Sequence, residues 1–144
     1  MSDSDFALSG GFSAALMLCD WADAIGGKLY IQGGGWTTVR QNTPATIAVA
    51  AVVRVPYHQT NVRHTVAVTL LDEDGQGFPA AQPFRLEMQV ELGRPPGMRK
   101  GEESVVPLAA RLQGVEFPPG GYRFEVSVNG DVVTATSFVS RDVA

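Results

Sequence analysis

Apolar and polar residues alternate with period two over most of this chain, and that rhythm predicts sheet rather than helix. It is clearest near the C-terminus. Tyr122, Phe124, Val126 and Val128 share one parity, while Arg123, Glu125, Ser127 and Asn129 share the other. Successive strand side chains point to opposite faces, so the first set is assigned to a core and the second to water. Asn129-Gly130 follows, a two-residue hairpin signal because both residues tolerate the positive φ of a type I′ turn. The return run sets Val132, Thr134, Thr136 and Phe138 against Val133, Ala135, Ser137 and Val139. Both faces are mildly apolar, and parity does not choose between them. Pro118-Pro119-Gly120-Gly121 breaks whatever precedes the Tyr122 strand.

The same rhythm extends upstream. Phe12 to Cys19, Lys28 to Gln32 and Trp36 to Arg40 read as strands, the last two separated by Gly33-Gly34-Gly35. Three glycines inside a strand pattern predict a bulge, a tight bend or a close backbone approach. Asp20 to Gly27 reads as a helical turn capped by Asp20, or as a wide connection. Thr46 to Val55 is the most apolar run. With so many β-branched residues it predicts a central strand covered on both faces. Val62 to Leu70 and Phe84 to Glu91 alternate, separated by the turn at Asp72 to Gly77. Residues 93–103 form a long loop rich in Gly, Pro and charge, and Ser104 to Leu112 is a strand that Pro107 places at an edge or a bulge.

Roughly seven to nine short strands with no long helix predict an antiparallel β-sandwich, with a β-barrel as the alternative. The expected organisation is an arm over residues 1–11 and one domain over 12–140.

Composition narrows the setting. The chain has 144 residues, 44% of them hydrophobic and 18% charged, with a net charge of −4. That suffices for one cored domain and is too apolar for disorder. The mild acidity argues against a nucleic-acid surface, and no stacking aromatics interleave the basic positions. The single cysteine, Cys19, excludes an intrachain disulfide and reads as a small buried hydrophobe in a reducing compartment. The chain opens with polar, acidic residues rather than a signal peptide, and Phe12 to Cys19 is too short to span a bilayer. A cytoplasmic protein with no membrane association is expected.

Two segments resemble a known family. Cys19-Asp20-Trp21-Ala22-Asp23, then Gly27-Lys28-Leu29-Tyr30-Ile31-Gln32-Gly33-Gly34-Gly35-Trp36, resembles the opening of a family of small uncharacterised bacterial proteins. That family carries C-D-aromatic-A followed by G-K-L-x-I-x-G-G-G-W. The later P-P-G-x-Y-x-F hairpin is similar to theirs, here with a second glycine, Gly121, before Tyr122. The resemblance spans about Phe12 to Val139 and implies no activity, cofactor or catalytic residue. If its motifs mark a site, that site comprises Asp20, Trp21, Asp23, Lys28 and Trp36. The competing structural reading packs the tryptophans at a sheet corner and uses the aspartates to cap a turn.

Chemical signatures are weak. His58 and His64 lack compact zinc spacing, and Asp72-Glu73-Asp74-Gly75 lacks the later ligands of a calcium loop, so no metal or other cofactor is expected. The glycine triplet is followed by neither Gly-Lys-Ser nor a helix signal, as a phosphate loop requires. No nucleophile, base and acid stand out as a set. Arg94, Met98 and Arg99 on the 93–103 loop are candidate partner contacts.

Two function classes follow. One is a non-catalytic binding or assembly module that meets a protein partner or a second copy through a sheet edge, an exposed face or that loop. The other is a small-molecule-binding or enzymatic domain, with a cleft where Asp20, Asp23, His58 or His64 converge around Trp21 or Trp36.

Overall fold

The computed structural model describes residues 10–143, so the arm expected over residues 1–11 lies outside them up to Ser9. The described strands are β1 (Ser13–Cys19), β2 (Trp21–Ile25), β3 (Lys28–Gln32), β4 (Thr38–Arg40), β5 (Ala45–Val55), β6 (Arg63–Asp72), β7 (Arg85–Glu91), β8 (Ser104–Val115), β9 (Gly120–Val128) and β10 (Asp131–Arg141). A 3-10 turn, Tyr57–Gln59, joins β5 to β6. Strands β1-β5-β8 form one sheet, β4-β10-β9-β6-β7 a second, and β2-β3 a separate hairpin. Among the described residues both larger sheets end in free edges, an antiparallel β-sandwich rather than a closed barrel. Among the described strands the one departure from antiparallel pairing is β4, which runs parallel to β10.

Strand β5 is central and covered on both faces, as its composition predicts. Ile47, Val49, Ala51, Val53 and Val55 enter the main core, and Ala48 and Ala50 enter a smaller cluster on the outer face. Across the main core stand Val66, Val68 and Leu70 from β6 and Phe124, Val126 and Val128 from β9. Each such side chain contributes about 1.5–3 kcal/mol on burial, which makes this sandwich the principal source of stability. Pro107 lies on β8, an edge strand of its sheet, where a proline leaves no central ladder bond unmade.

The C-terminal hairpin forms with a correction to its register. Asn129 and Gly130 take positive φ (53° and 90°) as the turn requires. Strand β10 then slips past β9 between Val132 and Thr134. The extra residue in this β-bulge reverses the parity of the strand. Val133 and Phe138, of opposite sequence parity, are therefore both 2% exposed. At the start of β9 the rings of Phe117, Tyr122 and Phe138 cluster, with centroids 5.1 Å (Phe117–Tyr122) and 5.3 Å (Phe117–Phe138) apart.

The larger correction concerns Asp20 to Gly27, expected as a helical turn or a wide connection. It contains strand β2, paired with β3 from Trp21↔Gln32 to Ile25↔Lys28. Gly26 and Gly27 make the turn at φ 59° and 78°. Their Gly-Gly pair is itself a hairpin signal, outweighed in sequence by the alanines and aspartates around it.

Candidate functional site

The β2–β3 hairpin lies over the outer face of β5 and β8 as a further layer. Its inner side is built from small residues. Cys19, Ala22, Ala48 and Ala50 are buried together, with Leu29 and Ala109 packed against them. Where Ala22 faces Ala48 and Ala50, short side chains on both surfaces let the two layers approach closely. Burial pushes the Cys19 thiol above its usual pKa, and the neighbouring Asp20 carboxylate adds to the rise. The chain returns from β3 through the glycine triplet. A Cβ on Gly33 would sit on the Asp20 carboxylate, and one on Gly34 would meet Met17 Sδ at 2.6 Å. Close approach is thus what the triplet provides, and Gly35 N–H closes the return by donating to the Leu18 carbonyl at 2.8 Å.

The outer side of the hairpin is chemically different. Trp21, Asp23 and Ile25 share its outward face with Tyr30 and Lys28 by strand parity and register. Arg111 rises from β8 beside it. Its guanidinium carbon stands 4.1 Å over the Trp21 ring, and Nη1 donates to Asp23 Oδ1 at 2.5 Å and to the Ala22 carbonyl at 3.3 Å. The Trp21 indole N–H donates to Asp23 Oδ2 at 3.2 Å. The three side chains form a closed ring of contacts that bolts hairpin to sandwich. Both charges are more than one-third exposed (37% and 39%), so the ion pair contributes at most about 1 kcal/mol and the stacking a similar amount.

The residues singled out by sequence do not form one constellation. Trp21 and Asp23 come together, joined by Arg111. Lys28 sits at the hairpin tip opposite Ile25, exposed. Asp20 and Trp36 line a separate shallow cleft of about 310 Å³ with Thr38, Arg40 and Thr46. Trp36 packs edge-on against Phe138, and its indole nitrogen is buried with no hydrogen-bond partner among the described residues. His58 lines a third cleft with Tyr57, Lys100 and Glu103. His64 is buried in the strand core, where Nε2 donates to the Gln59 carbonyl at 2.8 Å and Nδ1 accepts from Asn129 Nδ2 at 3.0 Å. On the 93–103 loop, Arg94 stacks on Tyr57 with its guanidinium carbon 4.1 Å from the ring centroid and donates to Thr60 Oγ1 at 2.6 Å, anchoring the start of the loop. Met98 is half-buried and Arg99 exposed, each in a backbone turn. Among the described residues, no three His, Cys, Asp or Glu side chains are grouped to hold a metal ion, and no helix is long and apolar enough to cross a membrane.

Arg111 was legible only as an anomaly, one charge between Ala110 and Leu112 in an apolar strand. Nothing local says that it reaches a hairpin some ninety positions earlier, a separation of 88 residues to Asp23.

Fold and site together define an antiparallel β-sandwich carrying an added hairpin layer clamped by an arginine–tryptophan–aspartate contact. The chain belongs to a family of unknown function, DUF6941, whose model matches residues 14–139. A search of curated proteins finds no match.

Proposed function

We propose that this chain is a non-catalytic binding or assembly module whose recognition surface is the outer face of the β2–β3 hairpin. One observation carries the reading. Among the described residues, three of the eight exposed large hydrophobics, Trp21, Ile25 and Tyr30, share the outward face of this hairpin. Ile25 and Tyr30 are 60% and 54% exposed. Scattered exposed apolar residues are ordinary on soluble proteins, whereas a contiguous group containing Trp and Tyr is characteristic of partner contacts. The Arg111 clamp supports the reading because it holds the hairpin rigid, so little order has to be gained on binding. The partner is a protein, either a second copy or another chain. A cytoplasmic setting in a bacterium is part of the proposal, supported by the family resemblance and by the unpaired, buried Cys19 thiol.

The test replaces two exposed side chains that no core contact needs. Solution mass is measured for the wild type and for Ile25→Asp/Tyr30→Asp, together with photo-crosslinking from a benzophenone side chain at position 25 and, as a control, position 63. A self-adduct or one reproducible partner adduct from position 25 and not from position 63, lost when Tyr30→Asp is added to the position-25 probe, supports the surface. A monomer that yields no adduct from position 25 overturns it.

A second reading, a small-molecule or enzymatic site, draws on the Trp36 cleft. Trp36 lines that cleft with Asp20, Arg40 and Thr46, and its buried indole N–H has no partner among the described residues. It requires a metabolite whose binding perturbs Trp36 fluorescence in a Trp21→Phe background and is lost in Arg40→Ala.

A further inference from the structure

We propose that the open seam between β7 and β8 accepts an extended, uncharged peptide strand of alternating apolar character. This goes beyond the hairpin reading, concerns a different edge, and stands or falls independently of it.

A five-stranded sheet faces a three-stranded one, and three strands cannot cover five. The shortfall lies at β7. Met88 and Leu86 stand directly opposite Val66 and Val68 in the β6–β7 register, so all four point to the same face. Val66 and Val68 are 2% and 1% exposed, yet Met88 and Leu86 are only half-buried. Cover from the opposing sheet stops one strand short. On that side the opposing sheet ends at β8, which pairs only with β5, just as β7 pairs only with β6. Among the described residues, both strands therefore present unpaired backbone edges, which a further strand satisfies.

The space between them is a groove of about 420 Å³ lined by Leu86 and Met88 on one flank and by Leu108 and Ala110 of β8 on the other. It continues into a second groove of about 330 Å³ that shares Phe84 and Arg111 with the first. Strand β7 has 7 residues, so an occupant of similar length spans the seam at about 3.4 Å per residue.

The lining also specifies the occupant. Added beside β8, a strand turns alternate side chains toward Leu86 and Met88, where apolar groups are buried, and toward Ala22 and Ala24 of the hairpin, where small groups suffice. Each cation on the groove wall already has a carboxylate partner, Arg111 with Asp23 and Arg85 with Glu87. A charged strand gains nothing there and loses hydration, so the matching partner is neutral. Pro107 offers no N–H and bounds the pairing at one end. Main-chain bonds give affinity in this mode of recognition, and the alternate side chains give selectivity.

The test uses a blocked alternating valine–threonine heptapeptide with a solubilising lysine tail, and the same peptide N-methylated at alternate backbone nitrogens. The expected result is backbone amide NMR shifts confined to 85–91 and 107–115, with at least a tenfold loss of affinity on N-methylation. Met88→Lys, at a half-exposed site, also loses at least tenfold while its spectrum shows an intact fold, and Met88→Leu binds as the wild type does. Equal binding of the N-methylated peptide overturns the proposal, as does the absence of shifts along β8 at millimolar peptide. Edge-to-edge dimerisation through β8 without peptide shifts overturns it in favour of a second copy.

Discussion

The phenolic O–H of Tyr122 donates to the Pro118 carbonyl four residues upstream, at 2.6 Å. The bond ties the first core residue of β9 to the Pro-Pro-Gly-Gly segment that delivers it. A tyrosine bonded back to upstream backbone fixes a corner between strands in other β-sandwiches as well. Tyr122→Phe keeps the ring packing and removes the bond, so it is expected to cost about 1 kcal/mol in urea unfolding. Burial raises the Tyr122 pKa above its ordinary 10.0, and the Asp72 and Glu73 carboxylates add to the rise. The unfolded chain then loses this proton at lower pH than the folded one. The contribution is fully present below about pH 10 and is lost as pH rises toward the folded value. Stability measured from pH 9 to 11 should fall more steeply in the wild type than in Tyr122→Phe.

Arg111 is expected to tolerate neither shortening nor a change of shape. Arg111→Ala removes the stack on Trp21 and the Asp23 pair, at a cost of about 1–2 kcal/mol. Arg111→Lys restores a charge without the planar fork and should recover less than half of that loss. Hydrogen exchange localises the effect. Amides of β2 and β3 should lose protection while those of β6 and β9 keep theirs, because the hairpin is held chiefly by this clamp and a small alanine cluster.

Asn129 joins the C-terminal turn to β6 twice by its side chain. Its Oδ1 accepts from Thr65 N–H at 3.0 Å, and its Nδ2 donates to His64 Nδ1 at 3.0 Å. Asn129→Gly keeps the left-handed turn and loses both bonds, leaving a buried imidazole nitrogen unpartnered, at an expected cost of about 1–2 kcal/mol. Asn129→Ala adds backbone strain at φ 53° and should cost about 1 kcal/mol more. Imidazole ¹⁵N shifts should report the Nε2–H tautomer of His64 in the wild type and its loss of definition in both variants.

Cys19 should be inert in the folded protein. Its side chain is fully buried, and its pKa lies above the usual 9.0, so little thiolate exists to attack a reagent. Ellman's reagent at pH 8 is expected to label it only as fast as the hairpin layer opens, and Arg111→Ala should accelerate that labelling.

Local pattern determined much of this protein. Alternation from Tyr122 to Val128 with Asn129-Gly130 placed a core strand and its turn, because strand parity and left-handed turn residues are properties of neighbouring positions. The β-branched run of β5 likewise showed a strand covered on both sides. It did not show by what: Ala48 and Ala50 look like weak strand formers until the hairpin is laid over them. The bulge at Val133 was invisible because both faces of β10 are mildly apolar, and only the partner strand and the rings beneath Phe138 choose which is buried. The candidate site fared similarly. Sequence singled out Trp21 and Asp23, whereas Arg111 joined them only when β8 came to lie beneath β2. Sequence by itself determined the strands, their principal turns and the class of fold, since those depend on period and backbone preference. Tertiary structure alone decided the layering, the Arg111 clamp and the open β7–β8 seam. Those rest on contacts between segments far apart in the chain, which no local pattern encodes.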